Sequence, residues 1–247
     1  MRALHSCKYF IQARRPITKD KKFVQRPAMK RRLIIFAKEP QEGLVKTRLR
    51  SLLSAKECSD LYKAFLKDTV SVAKRAACGE RVIAYESFGR SPQFLKKMAP
   101  QFKFYRQRGA DLGERMHNAF SDLNELRGWK TVIIGSDIPS IQDTLINDAF
   151  AYLETYDAVF GSSGDGGYYL VGINKPCGGL FKGIKWSSSV VMRQTLKKCI
   201  QLKLKARPIG THDDVDSPEA LARLKNSLKN SPDKKTAKWT RRFLKIS

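Results

Sequence analysis

The sequence has few acidic residues, few histidines and no closely spaced cysteines. It contains 23 Asp and Glu against 48 Lys and Arg in 247 residues, so the formal net charge is +25. The five cysteines are scattered and form no C-x-x-C pair, and we therefore expect reduced, mostly buried thiols. No apolar run approaches the roughly 18 residues that a membrane span requires, so we expect a cytoplasmic protein that does not cross a bilayer.

The positive charge is concentrated at the two ends of the chain. Residues 1–32 carry 11 Lys and Arg against one acidic residue, and residues 225–247 carry 8 against one. Residues 33–224 carry 29 basic and 21 acidic residues, a moderate excess that suits an enzyme for phosphorylated substrates without requiring one. We expect one domain over residues 33–224 and basic ends that are disordered or marginally helical.

The two ends allow more than one interpretation. Residues 1–32 are basic and poor in acids, as organellar transit peptides are, but they lack the apolar centre of a secretory signal. Met29 stands just before the first predicted strand, so a start codon assigned too far upstream explains the extension equally well, and a functional tail is a third interpretation. In the C-terminal end, Trp239, Phe243 and Leu244 could dock on another surface.

The hydrophobic pattern alternates between strands and helices. Residues 33–37 form a short buried strand, and the capping box of Ser54 and Glu57 begins a long amphipathic helix that ends before Gly79. Further strands are predicted at residues 81–86, 102–105, 131–134, 157–160, 168–173 and 203–209, and helices begin near Ser91, Glu114, Ser140, Trp186 and Ser217. This alternation predicts an α/β fold.

A Gly-Ser-Asp-Ile-Pro stretch at residues 135–139 directly follows the apolar run 131–134. A continuous β-branched run fits a strand that is covered on both faces, and open α/β sheets bind ligands beyond the carboxyl ends of such strands. Asp137 would then lie at the ligand edge of the sheet. It could equally be the residue that organises the turn before Pro139.

Two earlier loops carry residues that could bind an anion or a nucleotide. The loop 38–49 holds Lys46 and Arg48 on either side of a threonine, but it lacks the glycines of a P-loop and also suits a solvated basic loop. The polar loop 107–113 leads into a helix, and a helix N-terminus is a plausible ligand surface.

Two later loops bring further carboxylates. The segment 161–167 is Gly-Ser-Ser-Gly-Asp-Gly-Gly with Asp165 as its one ionisable group. Such glycine density should preclude regular structure and let a ligand approach, although a plain surface hairpin explains it too. The segment 211–216 packs three carboxylates together, which need a cation or protons nearby unless Asp216 and Ser217 are helix caps and the other acids are solvated.

Six segments between residue 33 and about residue 224 resemble, in their order and spacing, the motifs of a known family. They are Leu33-Ile-Ile-Phe-Ala-Lys-Glu-Pro-x-x-Gly-x-Val-Lys-Thr-Arg-Leu49, Gln107-x-Gly-x-Asp-Leu-Gly-Glu-Arg-Met116, Ile134-Gly-Ser-Asp-Ile-Pro139, Gly164-Asp-Gly-Gly-Tyr-Tyr-Leu-Val-Gly172, Trp186-Ser and Asp214-Val-Asp-Ser-Pro-Glu219. Together they resemble the small bacterial glycosyltransferase-like group of the GT-A, or nucleotide-diphospho-sugar transferase, superfamily. This group is similar to the guanylyltransferases of molybdenum-cofactor and deazaflavin-cofactor synthesis.

The resemblance implies a three-layer α/β/α GT-A fold with a mostly parallel mixed sheet. The N-terminal half of such a fold holds a nucleotide and the C-terminal half holds an acceptor. The resemblance further implies a Mg²⁺ or Mn²⁺ ion bound by Asp137 and Asp216, with Asp214 as the next candidate ligand. Lys46 and Arg48 would be catalytic cations that contact the diphosphate.

The other site residues that the resemblance implies fall into two groups. The nucleotide-binding group is Ala37, Lys46, Thr47, Arg48, Gln107, Gly109, Asp111, Leu112, Gly113 and Arg115. The acceptor-binding group is Gly166, Gly167, Tyr168, Trp186 and Ser187, beside which Asp165 would act as a base or stabilise the transition state. The sequence departs from the family pattern at Ser188, where the family usually has Thr, at Ala220, where it has an acid, and in its long basic ends.

Three functions compete at this point. Glycosyl transfer from a nucleoside diphosphate sugar to a small-molecule acceptor is the first hypothesis. Nucleotidyl transfer is the alternative, in which an acceptor phosphate attacks a nucleoside triphosphate and pyrophosphate is released. Nucleic-acid binding through the basic ends is the third, because Lys and Arg contacts to phosphates give sequence-independent affinity. No RNA-recognition, zinc-finger or helix-turn-helix signature accompanies the charge, so nucleic acid is not favoured as the primary ligand. The sequence predicts no particular oligomeric state.

Overall fold

The computed structural model describes residues 30–123, 128–175 and 177–246, which form the predicted α/β fold. The strands are β1 (Lys30–Lys38), β2 (Glu80–Glu86), β3 (Lys103–Arg106), β4 (Trp129–Ile134), β5 (Ala158–Ser163), β6 (Tyr168–Ile173) and β7 (Ala206–His212). The helices are α1 (Ala55–Arg75), α2 (Gln93–Met98), α3 (Leu112–Leu123), α4 (Asp143–Tyr152), α5 (Val191–Gln201), α6 (Pro218–Asn230) and α7 (Lys238–Leu244), and a short 3₁₀ helix spans Thr47–Ser51.

The seven strands form one mixed sheet in the order β3-β2-β1-β4-β6-β5-β7. β6 runs antiparallel to its neighbours β4 and β5, whereas the other adjacent pairs are parallel, which confirms the predicted mostly parallel sheet. The carboxyl ends of β1, β4, β5 and β7 therefore lie at one edge, together with the amino end of β6. In open α/β sheets, ligands bind beyond this edge.

Hydrophobic clusters cover both faces of the sheet. Side chains alternate along β1, so that Leu33 and Ile35 pack with α1 and α4, whereas Ile34 packs with α3 and α5 on the opposite face. A strand that is buried on both faces must be apolar throughout, which is why β1 reads as a continuous apolar run. Helices, sheet and helices thus form the expected three layers.

The glycine-rich segment is more regular than predicted. β5 includes the first three residues of the segment 161–167 and ends at Ser163, with a register shift between Gly161 and Ser162. The prediction that the glycines preclude regular structure was therefore wrong for these three residues. A Cβ atom on Gly161 would collide with the ring of Tyr169, which explains why glycine stands inside this strand. The remaining glycines form the turn between β5 and β6.

The last strand lies further along the chain than predicted. β7 begins at Ala206 instead of residue 203 and continues to His212, because it pairs in parallel register with the whole of β5. This extension matters for the site, since it carries the acidic segment 211–216 to the ligand edge of the sheet.

The two ends differ from the expected extension and tail. The first three described residues belong to β1, and the rest of the predicted extension lies outside the described residues. α6 passes through the expected domain boundary at residue 224, and α7 packs along α1. The buried carboxylate of Asp68 in α1 accepts hydrogen bonds from the backbone N–H groups of Trp239 and Thr240, both at 2.9 Å, and from the Thr240 hydroxyl at 2.6 Å.

The structure bears on the expected reduced cysteines and on the expected lack of a membrane span. Cys58 and Cys199 are buried and Cys78 and Cys177 are half-buried, all four as free thiols, whereas Cys7 lies outside the described residues. Within residues 30–123, 128–175 and 177–246, no helix has the length and hydropathy needed to cross a membrane.

Candidate active site

A cavity of about 750 Å³ opens at the ligand edge of the sheet. The predicted site residues that line it are Ala37, Lys46, Thr47, Arg48, Gln107, Asp111, Leu112, Arg115, Asp137, Tyr168, Trp186, Ser187, Asp214 and Asp216. The predicted site residues that do not line it are Gly109, Gly113, Asp165, Gly166 and Gly167. The tertiary structure therefore gathers most of the predicted nucleotide, metal and acceptor residues around one space.

Lys46 links the two predicted metal-binding acids. Its Nζ atom lies 2.6 Å from Asp137 Oδ1 and 2.6 Å from Asp216 Oδ1, and it donates to the Val215 carbonyl at 3.0 Å. Its side chain is only 3% exposed, whereas those of Asp137 and Asp216 are 35% and 46% exposed. Burial disfavours the charged ammonium, but the charges of Asp137 and Asp216 outweigh burial and raise the pKa of Lys46.

The backbone holds these groups in place. The Val215 N–H donates to the Asp137 carbonyl at 3.0 Å and thereby joins the loop after β4 to the loop after β7. Lys46 has a φ of 50°, in the left-handed region that non-glycine residues rarely adopt, and it directly precedes the 3₁₀ helix. Ser217 caps α6 by accepting from the Ala220 N–H at 3.2 Å. The capping alternative thus applies to Ser217, whereas Asp216 faces the cavity.

The rings of Tyr62 and Phe65 lie beneath the Lys46 ammonium and are called here the aromatic floor. Nζ lies 5.8 Å from the ring centre of Tyr62 and 5.2 Å from that of Phe65, distances at which a cation is attracted to the ring faces. The Tyr62 hydroxyl accepts from the Lys38 N–H at 2.9 Å and shares a hydrogen bond of 2.9 Å with Ser136 Oγ. Burial raises the pKa of Tyr62 far above its usual range, so the hydroxyl stays neutral.

The sequence did not single out Tyr62, Phe65 or Ser136 as site residues. Tyr62 and Phe65 lie within the apolar stripe of α1 and are indistinguishable there from core side chains. One weak signal was available, because a buried tyrosine hydroxyl needs a hydrogen-bond partner and the apolar neighbours in the helix supply none. Ser136, next to Asp137, turned out to be that partner.

Asp214 is the most strongly perturbed acid in the cavity. Burial, followed by the negative charges of Asp137, Asp216 and Asp165, raises its pKa to about 7, while Lys46 acts in the opposite direction. Asp214 therefore holds a proton at pH values where an ordinary aspartate is ionised. In the part of the chain that the structure describes, no group of three His, Cys, Asp or Glu side chains forms a ready-made metal site.

The end of the cavity beside β1 and β2 has a fixed hydrogen-bonding pattern. Gln107 Nε2 donates to the carbonyl of Ala84 at 2.7 Å and to that of Ala37 at 3.4 Å. Because carbonyl groups only accept, these contacts determine which end of the amide is the NH₂ group. At the rim, Leu44 and Leu112 are 46% and 47% exposed, so apolar surface is available to a flat ring such as a nucleobase.

Several glycines shape the cavity without lining it. A Cβ atom on Gly113 would lie 2.5 Å from Trp186 Nε1, so glycine lets the indole pack against the first turn of α3. Gly109 has a φ of 138°, which only glycine adopts readily, and its carbonyl accepts from Arg115 Nε at 3.2 Å. Asp165 is exposed in the β5–β6 turn, where it accepts hydrogen bonds from Ser163 Oγ and from the Gly167 N–H.

Comparison with solved structures identifies the family. The chain is 32% identical to a provisionally named nucleotide-diphospho-sugar transferase from Desulfovibrio desulfuricans G20, with a TM-score of 0.81 over 88% of this chain and 94% of that one. The chain belongs to the nucleotide-diphospho-sugar transferase family. The resemblance carried by the six sequence segments is thereby confirmed. A family profile described as an uncharacterized protein conserved in bacteria, DUF2064, matches residues 69–188 of this family member.

More distant solved structures share the fold alone. A 4-diphosphocytidyl-2C-methyl-D-erythritol synthase from Anaerococcus prevotii DSM 20548 is 9% identical, with a TM-score of 0.54 over 79% of this chain and 96% of that one. A cytidylyltransferase from Leptospira borgpetersenii serovar Hardjo-bovis is 14% identical, with a TM-score of 0.51 over 88% and 94%. A comparison with curated protein sequences found no match.

Proposed function

We propose that this family member is a transferase that uses a nucleotide-activated donor and a divalent cation, and that it transfers a sugar from a nucleoside diphosphate sugar to a small-molecule acceptor. The observation that carries the proposal is the convergence of Lys46, Asp137 and Asp216 on the wall of the cavity. The cavity volume of about 750 Å³ is in the range of sites that enclose small molecules and cofactors. The two acids are far apart in sequence, so their meeting is a property of the fold.

The residues present suit Mg²⁺ or Mn²⁺. Both ions prefer oxygen ligands, and Mg²⁺ in particular takes one or two carboxylates, with phosphate and water oxygens completing its shell. Asp137 and Asp216 offer such a pair with part of each side chain open to the cavity, and Asp214 is a third candidate once it loses its proton. A site that borrows ligands from a substrate does not need a complete cage of protein ligands. The bound cation would neutralise negative charge on the diphosphate.

The other lining residues suit a nucleotide donor and an acceptor. Arg48, exposed in the cavity wall, could neutralise the charge that develops on the leaving diphosphate, and Lys46 lies close by. We assign Ala37, Thr47, Gln107, Asp111, Leu112 and Arg115 to the nucleotide, with Gly109 and Gly113 shaping the wall behind them. The acceptor would meet Tyr168, Trp186 and Ser187, next to the β5–β6 turn that carries Asp165, Gly166 and Gly167.

The identity of the released product tests the reaction. Nucleoside diphosphate sugars and nucleoside triphosphates are screened with Mn²⁺ by thermal shift, and the product formed from each stabilising ligand is then identified. Release of a nucleoside diphosphate is the result expected for sugar transfer. Release of pyrophosphate would establish the alternative, nucleotidyl transfer on the same scaffold. If no nucleotide binds in the presence of Mn²⁺, the proposal of a nucleotide-dependent transferase is wrong.

Replacing Asp137 by alanine tests the role of the carboxylate pair. We expect Asp137→Ala to lose at least about tenfold in Mn²⁺-dependent nucleotide affinity, because one of the two metal-binding acids is removed. Calorimetric titrations with and without Mn²⁺ measure the difference. Asp143→Ala is the control, since Asp143 lies outside the cavity and pairs with Arg75 on the surface. Unchanged nucleotide affinity in Asp137→Ala would contradict the assignment.

A further inference from the structure

The ammonium of Lys46 already has three partners. It donates hydrogen bonds to Asp216 Oδ1 at 2.6 Å and to the Val215 carbonyl at 3.0 Å, and it forms an ion pair with Asp137 Oδ1 at 2.6 Å. Two of the three N–H groups of a lysine ammonium are thereby used, and its charge is shared by two carboxylates. A diphosphate that takes this ammonium as its counter-ion must therefore compete with these contacts.

The same ammonium occupies the space between the two acids that a divalent cation would need. It contacts one oxygen of each carboxylate, and its side chain is almost completely shielded from solvent. Two cations that share those oxygens would repel each other, and the burial of the Lys46 side chain limits screening by water on its side of the pair. Lys46 and a metal ion consequently compete for Asp137 and Asp216.

Lys46 lies directly beside the open part of the cavity wall. Lys46 directly precedes the 3₁₀ helix, whose first two residues, Thr47 and Arg48, are exposed in the cavity wall. The lysine side chain is long and flexible, so rotation about its own bonds can move the ammonium without moving the backbone. It would move toward the region where Arg48 is available to a phosphate group.

We propose that Lys46 is the resident counter-ion of the Asp137 and Asp216 pair, and that it yields this place to a divalent cation only when a diphosphate takes over its hydrogen bonds. The inference rests on the proposed function, since it assumes that the acid pair receives the metal. Its consequence is thermodynamic coupling, in which the diphosphate and the metal each raise the affinity of the protein for the other by the same factor. Metal alone binds weakly, because it must displace the ammonium from both carboxylates without a phosphate group to receive it.

Lys46→Met tests this exchange in the absence of nucleotide. Methionine keeps an unbranched apolar side chain above Tyr62 and Phe65 and removes the charge. We expect Mn²⁺ alone to bind Lys46→Met about tenfold more tightly than the wild-type protein, as measured by titration calorimetry. Lys38→Met is the matched control, because Lys38 also lines the cavity but its side chain makes no described contact with either acid. Its Mn²⁺ affinity should stay within about twofold of the wild-type value.

Equal Mn²⁺ affinity in the wild-type protein and in Lys46→Met overturns the inference, and so does an equal gain in Lys38→Met. Asp137→Ala distinguishes this failure from failure of the proposed function. If Asp137→Ala loses Mn²⁺-dependent nucleotide binding while Lys46→Met binds Mn²⁺ as the wild type does, the proposed function stands and only the exchange is wrong. Circular dichroism checks that Lys46→Met is folded; if it is not, Lys46→Gln replaces it, since glutamine is neutral but still donates hydrogen bonds.

Discussion

Replacing Asp68 by alanine should loosen the C-terminal helix from the rest of the domain. α7 has no N-terminal cap of its own, because its N-cap residue, Ala237, has a φ of 55° and no side-chain acceptor. Asp68 supplies the cap from α1 by accepting hydrogen bonds from the Trp239 N–H, the Thr240 N–H and the Thr240 hydroxyl. Its negative charge at the start of α7 also interacts favourably with the helix dipole.

The expected loss follows from these three contacts. A hydrogen bond to a charged group contributes about 1.5–3 kcal/mol, but the three values are not additive. Burial raises the pKa of Asp68 despite the three donors, so desolvation outweighs the stabilisation of its ionised form by the hydrogen bonds. Removal of the side chain nevertheless leaves these donors without an acceptor, and each buried donor left unsatisfied costs about 1–3 kcal/mol. We therefore expect Asp68→Ala to lower the free energy of unfolding by about 3 kcal/mol. For a chain of this size, that corresponds to a fall in melting temperature of about 6–12 °C.

Thermal unfolding followed by circular dichroism measures this change. Asp60→Ala is the matched control on the same helix, because Asp60 makes partly exposed ion pairs with Lys56 and Lys63 that contribute less than about 1 kcal/mol. Hydrogen exchange should accelerate in α7 of Asp68→Ala before it accelerates in the central strands. If Asp68→Ala melts at the same temperature as Asp60→Ala, Asp68 does not anchor α7 and the reasoning is refuted.

Two further predictions concern the cavity. Gly113→Ala should weaken donor binding while the protein stays folded, because the new Cβ collides with Trp186 and shifts the first turn of α3, where Leu112 and Arg115 are assigned to the nucleotide. Calorimetry measures this, and Gly178→Ala, where a Cβ meets open space, should bind as the wild type does. In the metal-free protein, the contribution of Asp214 to stability should decrease as pH rises from about 4 to 7, since its raised pKa makes the folded state retain a proton that the unfolded state has released. Asp214→Asn removes this contribution, so over this range its melting temperature should fall less, or rise more, than that of the wild type. An equal pH dependence in the two proteins would contradict the raised pKa of Asp214.

The sequence predicted most of the fold because local patterns determine strands and helices. The apolar runs of β1 and β4 and the capping box at Ser54 are complete signals within a few residues. The errors concern β5 and β7, whose limits depend on each other. β5 can include Gly161 because Tyr169 fills the space of the missing side chain, and β7 extends to His212 because it follows the register of β5. Neither fact is visible in a single segment.

In the candidate site, too, the sequence indicated individual residues, whereas their contacts depended on the fold. Lys46, Asp137 and Asp216 could be singled out from loops that follow predicted strands, and the family resemblance assigned roles to them. Their contacts could not be predicted, because they depend on how loops far apart in sequence meet. The position of Lys46 between the two acids and the aromatic floor beneath it belong to that arrangement.

The sequence by itself determined the class of fold, the family and the residue types available for binding a nucleotide and a cation. These follow from hydrophobic periodicity and from short motifs, which are local properties of the chain. Only the tertiary structure decided that the ammonium of Lys46 lies between Asp137 and Asp216 and donates to the Val215 carbonyl. It also decided that the basic C-terminal end is a helix anchored by Asp68. Both outcomes depend on burial. Burial removes water as a competing partner, so each contact with a distant residue contributes more to stability.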